Sequence, residues 1–490
     1  MGAQPETSAD SLSRNRRLLV LAICCMSLLI VGLDSTIVNV ALPAIHRSLH
    51  ASVSGLQWTL DAYTLVMSSL LMLGGSTADR IGRRRVFQVG LAVFSLGSLL
   101  CGLASSLDML IAARALQGIG GAMLNPVAMS IIRNVFEDPK ERAGAIGVWG
   151  GVFGLSMALG PVLGGALVDS VGWPAVFFVN LPVGLAAILL TARFVPESRA
   201  PKARRLDPGG QLLVIIALAT LTYAIIEGPR HGWSSAEILS LFAVSVAAFV
   251  ALVFYELRRE EPLLEMRFFR SIPFAGASAT AIMAFAGFNG FLFLNTLYLQ
   301  DVRGLSPLDA GLYTLPMASM LLIFSPISGR LVGRRGSRPS TVVGALAMIA
   351  AASMLLGLGT HTSFAYLLVA YFAFGLGIGL INPPITNTAV SGMPGAQAGV
   401  AAAVASTSRV VGVTLGIAVI GSISGGAVGS KIGASFAADT HPGWAIIVGL
   451  GAGILVLGFL TTGRWASATA RRTAERFQSA GQPSPAAEPA

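Results

Sequence analysis

Fourteen apolar stretches, each about twenty residues long and parted by short polar loops, leave this chain few ways to fold. Inside hydrocarbon a backbone must satisfy its own hydrogen bonds, so stretches of this length are read as membrane-spanning helices. They cover residues 18–41, 54–75, 86–105, 107–132, 143–168, 174–194, 209–227, 237–257, 272–299, 310–332, 340–358, 364–388, 399–427 and 444–463. Charged residues make up 11% of the chain, against about 25% in soluble domains. The expected fold is an all-α polytopic membrane protein with the lipid bilayer as its solvent.

The formal net charge is +10, but the basic residues sit in short clusters between apolar runs. Basic patches interleaved with aromatics are missing, so no nucleic-acid partner is expected. With the N-terminus inside, four of the 33 Lys and Arg face outward: Arg47, Arg230, Arg303 and Lys431. Two more, Arg114 and Arg409, lie within helices, and the remaining 27 fall in inner loops or tails. That asymmetry predicts both termini in the cytoplasm and an inner (plasma) membrane location. Arg14, Arg16 and Arg17 before an apolar run resemble a signal peptide, but the run is too long, so it is read as an uncleaved first helix. Residues 1–13 and 477–490 are expected to be disordered tails. Cys24, Cys25 and Cys101 lie in apolar segments without metal or redox spacing, so no metal site is expected.

The sequence repeats at an offset of about 255 residues. Gly75-Ser-Thr-Ala-Asp79-Arg80-Ile-Gly82-Arg83-Arg84 is echoed by Gly329-Arg-Leu-Val-Gly333-Arg334-Arg-Gly336-Ser-Arg338, and Gly118 to Pro126 by Gly375 to Pro383. Arg142-Ala-Gly144 is echoed by Gln397-Ala-Gly399. Segments 1–6 and 9–14 are therefore read as related halves. The boundaries are a tail at 1–17, a first six-helix bundle at 18–194, a two-helix insert with linkers at 195–271, a second bundle at 272–463 and a tail at 464–490. Two parallel halves are what a rocking carrier requires.

At this point the chain resembles a known family. Leu33-Asp34-Ser-Thr-Ile-Val-Asn-Val-Ala-Leu-Pro43, Gly75 to Arg85, Arg114-Ala-Leu-Gln117-Gly118-Ile-Gly120 and Gly160-Pro161-Val-Leu-Gly164-Gly165 follow one another in order. Leu206-Asp207-Pro-Gly209 and Pro262-Leu-Leu-Glu-Met-Arg-Phe-Phe269 come later. Together they resemble the fourteen-helix drug:proton antiporters of the major facilitator superfamily, the group of the quaternary-ammonium and methylenomycin exporters. The resemblance implies a monomeric carrier of lipophilic small molecules that uses protons as its coupling ion and needs no cofactor. It associates the Gly160–Gly165 motif with exporters.

Three charges within the membrane carry the expected chemistry. A carboxylate or guanidinium there costs about 3 kcal/mol or more, so each marks a place of function or pairing. Asp34, Asp61 and Arg114 each lie about 10–12 Å below the outer end of their segment. Equal depth predicts one cluster, in which Arg114 favours ionised carboxylates and desolvation favours protonated ones. That opposition is what a proton-coupled carrier needs; the alternative is a static structural ion pair, which two acids against one base make less comfortable.

At the inner end, Gly82 permits a tight turn, and Asp79, with Arg80, Arg83 and Arg84 around it, is expected to latch the halves together. The alternative is a basic loop that only sets topology. Gly333 stands where the second half would have its Asp79, so the latch is expected to be one-sided. In the helix-5 motif, Gly160, Gly164 and Gly165 permit close approach of a neighbour and Pro161 permits a bend. Trp58, Tyr63, Phe285, Asn289 and Asn295 are candidate substrate contacts. Arg409 is read as binding either backbone carbonyls or an anionic part of a substrate. Residues 399–427 contain no carboxylate, which argues against a preference for dications.

No Gly-x-x-x-x-Gly-Lys-[Ser/Thr] motif and no nucleophile–base pair appear, so neither ATP hydrolysis nor another enzymatic activity is expected. An importer of a specific metabolite, or a non-transporting membrane sensor, could share this fold. Direction of transport separates the first from an exporter, and the intact Asp34, Asp79 and Arg114 argue against the second.

Overall fold

Apolar segments bounded by Ser or Asp caps and by glycine turns become long helices in the computed structural model, which describes residues 13–200, 206–259, 262–391, 393, 395–425 and 435–480. The first half comprises α1 (Arg14–Leu49), α2 (Val53–Ile81), α3 (Arg83–Gly102), α4 (Leu107–Val135), α5 (Pro139–Ser170) and α6 (Asn180–Phe194). The insert is α7 (Pro208–His231) and α8 (Ala236–Leu257). The second half comprises α9 (Ile272–Leu297), α10 (Leu315–Arg335), α11 (Ser337–Leu355), α12 (Phe364–Val390), α13 (Gly395–Gly425) and α14 (His441–Leu460).

Among the described residues, thirteen segments are long and apolar enough to cross a membrane. The fourteenth helix, α2, spans 29 residues and is more polar, because it buries Gln57, Thr59, Asp61, Thr64, Ser68 and Ser69. Leu189, Val246, Phe249, Val369 and Val456 are among the large apolar side chains turned outward, a surface suited to lipid.

Side-chain caps explain the helix starts. Ser13, Ser52, Ser106, Asp138, Asp207, Ser235 and Ser363 each accept from a backbone N–H of the following turn. The repeat is visible in the stops. α2 ends at Gly82 with φ +130° and α10 at Gly336 with φ +78°, conformations that side chains rarely adopt. Pro126 in α4 and Pro383 in α12 occupy matching places inside their helices.

Chain ends and loops sort to two faces. On the basic face, Arg16 Nε of α1 donates to Phe194 O of α6 (3.4 Å), and Arg83 N donates to Ser198 O (2.9 Å). Residues 464–480, expected as part of a tail, form a fifteenth helix, α15 (Arg464–Ala480). It docks on this face through Ile272 N, which donates to Thr469 Oγ1 (3.1 Å), and through Phe477 against Phe268 (5.3 Å). The tail expected over residues 477–490 thus begins inside a helix. Residues 1–12, 481–490 and Lys431 lie outside the described residues.

The two halves meet on the opposite face. Arg47 pairs with Asp301 (3.1 Å), Gln300 Nε2 donates to Val40 O (2.9 Å), and Leu308 N donates to Asp169 Oδ2 (3.0 Å). On the basic face the same helices part. Gly144, Gly147, Gly150 and Gly151 of α5, and Gly329 and Gly333 of α10, have no heavy atom within 4 Å of where a side chain would start. Among the described residues, the polar contacts that join the halves therefore lie on the face opposite the basic one and along the seam of α2 with α13.

The insert packs beside α2 and α13. Trp58 Nε1 donates to Glu227 Oε1 (2.9 Å) and Gln211 Nε2 donates to Ser69 O (2.5 Å), so the described polar ties of α7 to the two halves run to α2. Its contact with α13 is apolar, through Ile225, Ile226 and Ala418.

Candidate functional site

Arg114 and Asp34 form a buried ion pair, Nη1 to Oδ2 at 2.5 Å, with side chains 1% and 0% exposed. Their common level follows from the equal spacing read in the sequence. A dry ion pair persists only when most of its remaining donors and acceptors are filled, and both side chains have further polar partners here. Arg114 Nε donates to Thr59 O (2.9 Å) and Nη1 also to Gln117 Oε1 (2.6 Å). Asp34 Oδ1 accepts from Gln117 Nε2 (2.8 Å) and Asn180 Nδ2 (3.4 Å). Ser98 Oγ accepts from both amides. The Arg114 guanidinium lies 4.3 Å from the Tyr63 ring centre, a cation–π contact. The network ties α1, α2, α3, α4 and α6 into one body.

Asp61 is not part of it. The single cluster expected from equal depth divides, because Thr59 and Asp61 stand about 200° apart around α2. Thr59 turns its carbonyl to Arg114, while Asp61 turns to the seam with α13. It is 0% exposed. Oδ1 accepts from Thr64 Oγ1 (3.3 Å), which in turn accepts from Thr414 Oγ1 of the second half (3.0 Å). Oδ2 has no hydrogen-bond partner among the described residues. One turn away, Gln57 Nε2 donates to Ile417 O (3.0 Å), Ala418 O (2.9 Å) and Ser422 Oγ (3.2 Å). Asp61 is thus a carboxyl group sealed between the halves, bounded by two polar links that cross the seam.

On the basic face Asp79 Oδ1 accepts from Arg83 Nε (3.1 Å) and Nη2 (2.9 Å). Its backbone oxygen accepts from Ala200 N (3.1 Å). Arg84 N donates to Glu197 Oε1 (3.1 Å), and Arg85 reaches Glu197 Oε2 at 3.6 Å. Gly75 of the same motif faces Pro126 of α4, and Arg80 sits in the last turn of α2. These described contacts of the loop run within its own half and to the linker that follows it, rather than across to the second half.

The helix-5 motif works on two sides. A Cβ at Gly160 would come within 3.2 Å of Ile37 N, and one at Gly164 within 2.8 Å of Ile37 Cγ1, so both glycines press α5 onto α1. Gly165 faces the short helix Pro307–Tyr313 of the second half, where a Cβ would stand 2.7 Å from Leu308 Cα. Pro161 is held inside an unbroken α5 and lines a cavity of about 10 Å³ with Asn39 and Asn295. That space suits one water between two polar side chains. Gly165→Val is expected to weaken the closed face by about 1–3 kcal/mol through overpacking. The check is labelling of Asn39→Cys, in a background without other cysteines, by a membrane-impermeant thiol reagent. Labelling should rise with Gly165→Val, and an unchanged rate would show that the contact does not hold this face shut.

The candidate substrate contacts are scattered. Tyr63 is buried inside the first bundle, and Trp58 stands at the insert seam against Glu227. Asn289 Nδ2 donates to Phe285 O (3.1 Å), and Asn295 accepts from the Tyr371 hydroxyl. Of the five candidates, Trp58 and Tyr63 lie on α2, and Phe285, Asn289 and Asn295 lie on α9. Arg409 meets side-chain oxygens rather than the backbone carbonyls expected as one of its two partners. Nε donates to Asn382 Oδ1 (3.2 Å) and Nη2 to Thr386 Oγ1 (2.5 Å), with Phe285 at 5.9 Å.

Sequence reasoning passed over Asn180, Ser98 and Glu197. Asn180, polar within an apolar run, carried a signal as clear as that of Asn289. Gln117 was visible in a motif but had no assigned partner. Nothing in the sequence pointed from Glu197 to Arg84 across more than a hundred positions.

Comparison with known proteins follows the same lines. The family profile described as Major Facilitator Superfamily matches residues 24–417. The chain is 39% identical over 407 residues to the multidrug resistance protein Stp of Mycobacterium tuberculosis, covering 83% of this chain and 76% of that protein. It is 37% identical over 455 residues to the puromycin resistance protein pur8 of Streptomyces alboniger, covering 90% of each. A solved structure of a D-xylose–proton symporter superposes with a TM-score of 0.66 at 15% identity, over 91% of this chain and 97% of that one, which shows the shared fold.

Proposed function

We propose that this chain, which belongs to the major facilitator superfamily, is a proton-coupled exporter of lipophilic drugs or antibiotics that works by alternating access. Relatives named as multidrug and puromycin resistance proteins support export as the direction. The observation that carries the coupling is Asp61, a sealed carboxyl group at the seam between two halves that must part.

The basic face is the cytoplasmic one, so the structure is open to the cytoplasm and closed to the outside. The exchangeable proton sits on Asp61. A buried acid with a single hydroxyl donor and no cation beside it is far cheaper to hold neutral than charged. Opening the outer face separates α2 from α13 and brings water to Asp61. Toward the cytoplasm, Thr64 and Thr414 form the hydroxyl pair next in line. A cationic or polar substrate reaching the seam competes with the proton for the carboxylate. Asp34 and Arg114 act differently: they form a charged but satisfied framework that keeps α2 in register while the halves rock. Each proton moving inward at 100 mV contributes about 2.3 kcal/mol to export.

The test is expression in a host without its own exporters, challenged with a chemically diverse panel of compounds. Resistance to lipophilic compounds should rise, and a protonophore should remove it. Higher intracellular accumulation in expressing cells would instead mean import.

A further inference from the structure

We propose that an anionic phospholipid of the cytoplasmic leaflet binds a cleft between the insert, the linker after it and α15. The cleft is about 510 Å³ and is lined by Leu257, Arg267, Arg270, Thr473, Arg476 and Phe477. Its three arginines come from two elements that are distant in sequence. Arg267 and Arg270 share one side of the short helical turn Met266–Arg270. Thr473, Arg476 and Phe477 fall three and four residues apart, on one face of α15.

Placement and chemistry point to a lipid. Leu257 is the last residue of α8, whose Val246, Val250 and Phe254 are exposed like Leu257 itself. The cleft therefore opens where a lipid-facing helix leaves hydrocarbon, with guanidinium groups above an apolar wall. That is the order of a phosphate above its acyl chains. Phe477 is fixed by Phe268 at 5.3 Å, and Phe268 by Phe274 at 5.3 Å, so the wall is built into the second half. Three guanidiniums favour a headgroup with net negative charge over a zwitterionic one that brings its own cation. Glu265, 3.7 Å from Arg267 Nε, meets one edge of that guanidinium, and Glu475 precedes Arg476 in α15, so three bases stand against two acids and the cleft stays basic on balance. A free phosphate would use the arginines and leave the apolar wall idle. A bound lipid would brace the insert against the second half, where the chain between them is a short linker.

The experiment uses the purified full-length chain in a mild detergent, so its reading depends on neither orientation nor transport. Phosphatidylglycerol, phosphatidylcholine and inorganic phosphate are added in turn, and bound lipid is counted by native mass spectrometry alongside thermal unfolding. Phosphatidylglycerol is expected to bind about tenfold more tightly than phosphatidylcholine and to raise the unfolding temperature. The triple variant R267Q/R270Q/R476Q changes exposed residues only and is expected to lose that preference. R334Q/R335Q, which alters another exposed basic pair on the same face, is expected to keep it. Equal binding of the two lipids, or a preference surviving in the triple variant, would overturn the proposal. So would inorganic phosphate reproducing the stabilisation alone, which would make the cleft a phosphate site.

Discussion

Asp61→Asn will leave a folded carrier that cannot sustain a substrate gradient. The substitution keeps the shape of the side chain and its acceptor for Thr64 Oγ1. It adds an amide without an acceptor in a dry site, a cost of about 1–3 kcal/mol. What it removes is the proton. A carrier that loses one coupled proton gives up about 2.3 kcal/mol per 100 mV, roughly a 50-fold ratio of concentrations across the membrane. The measurement is export from inside-out vesicles driven by an imposed gradient, together with substrate binding at several pH values. Wild-type binding is expected to vary with pH and that of the variant to be flat. Export at wild-type gradients by Asp61→Asn would remove Asp61 from the coupling.

Asp34→Asn will fail for a different reason. Removing one partner of a buried pair strands the other charge, at about 3–5 kcal/mol. Here the stranded charge is Arg114, 1% exposed and left with Thr59 O and Gln117 Oε1 as its described acceptors. Arg114→Gln strands Asp34 by the same logic. The double variant D34N/R114Q leaves no buried charge and is expected to recover most of the lost thermal stability in detergent. The two single effects thus do not add, which is the mark of a direct pair. A wild-type unfolding temperature for Asp34→Asn alone would show that the pair contributes little to the framework. The sequence gives Asp34 and Asp61 the same standing, as two acids of equal depth. The contacts divide them: Asp34 is paired with Arg114, while Asp61, for which we propose the exchangeable proton, has Thr64 as its hydrogen-bond donor at the seam.

Much of this was legible before any coordinates. Hydrocarbon forces backbone groups to pair within a segment, so length and hydropathy locate helices well, and each expected segment lies within or overlaps a helix. The turn glycines at 82 and 336 were legible too, because few other residues adopt φ of +130° or +78°. α15 was missed because its helix is made by docking: Arg464–Ala480 has four arginines and little apolar length, and packing on Phe268 and Ile272 holds it. Depth along a helix could be counted, and it placed Arg114 beside Asp34. Direction around a helix could not be weighed without knowing what stood on each side of α2.

The chain by itself determined that it spans a membrane many times, that its halves repeat, and that three charges lie buried at one level. These follow from short-range rules: the cost of unpaired backbone in lipid, the rise per residue and the conformational limits of a turn. Only the tertiary structure decided that Arg114 belongs to Asp34, that Asp61 faces α13, and that Gly165 presses against Leu308 where the halves close. Those depend on which surfaces meet. A carboxylate's role is set by the donors that reach it: Asp34 is reached by Arg114, Gln117 and Asn180 from α4 and α6, and Asp61 by Thr64 of its own helix at the seam with α13.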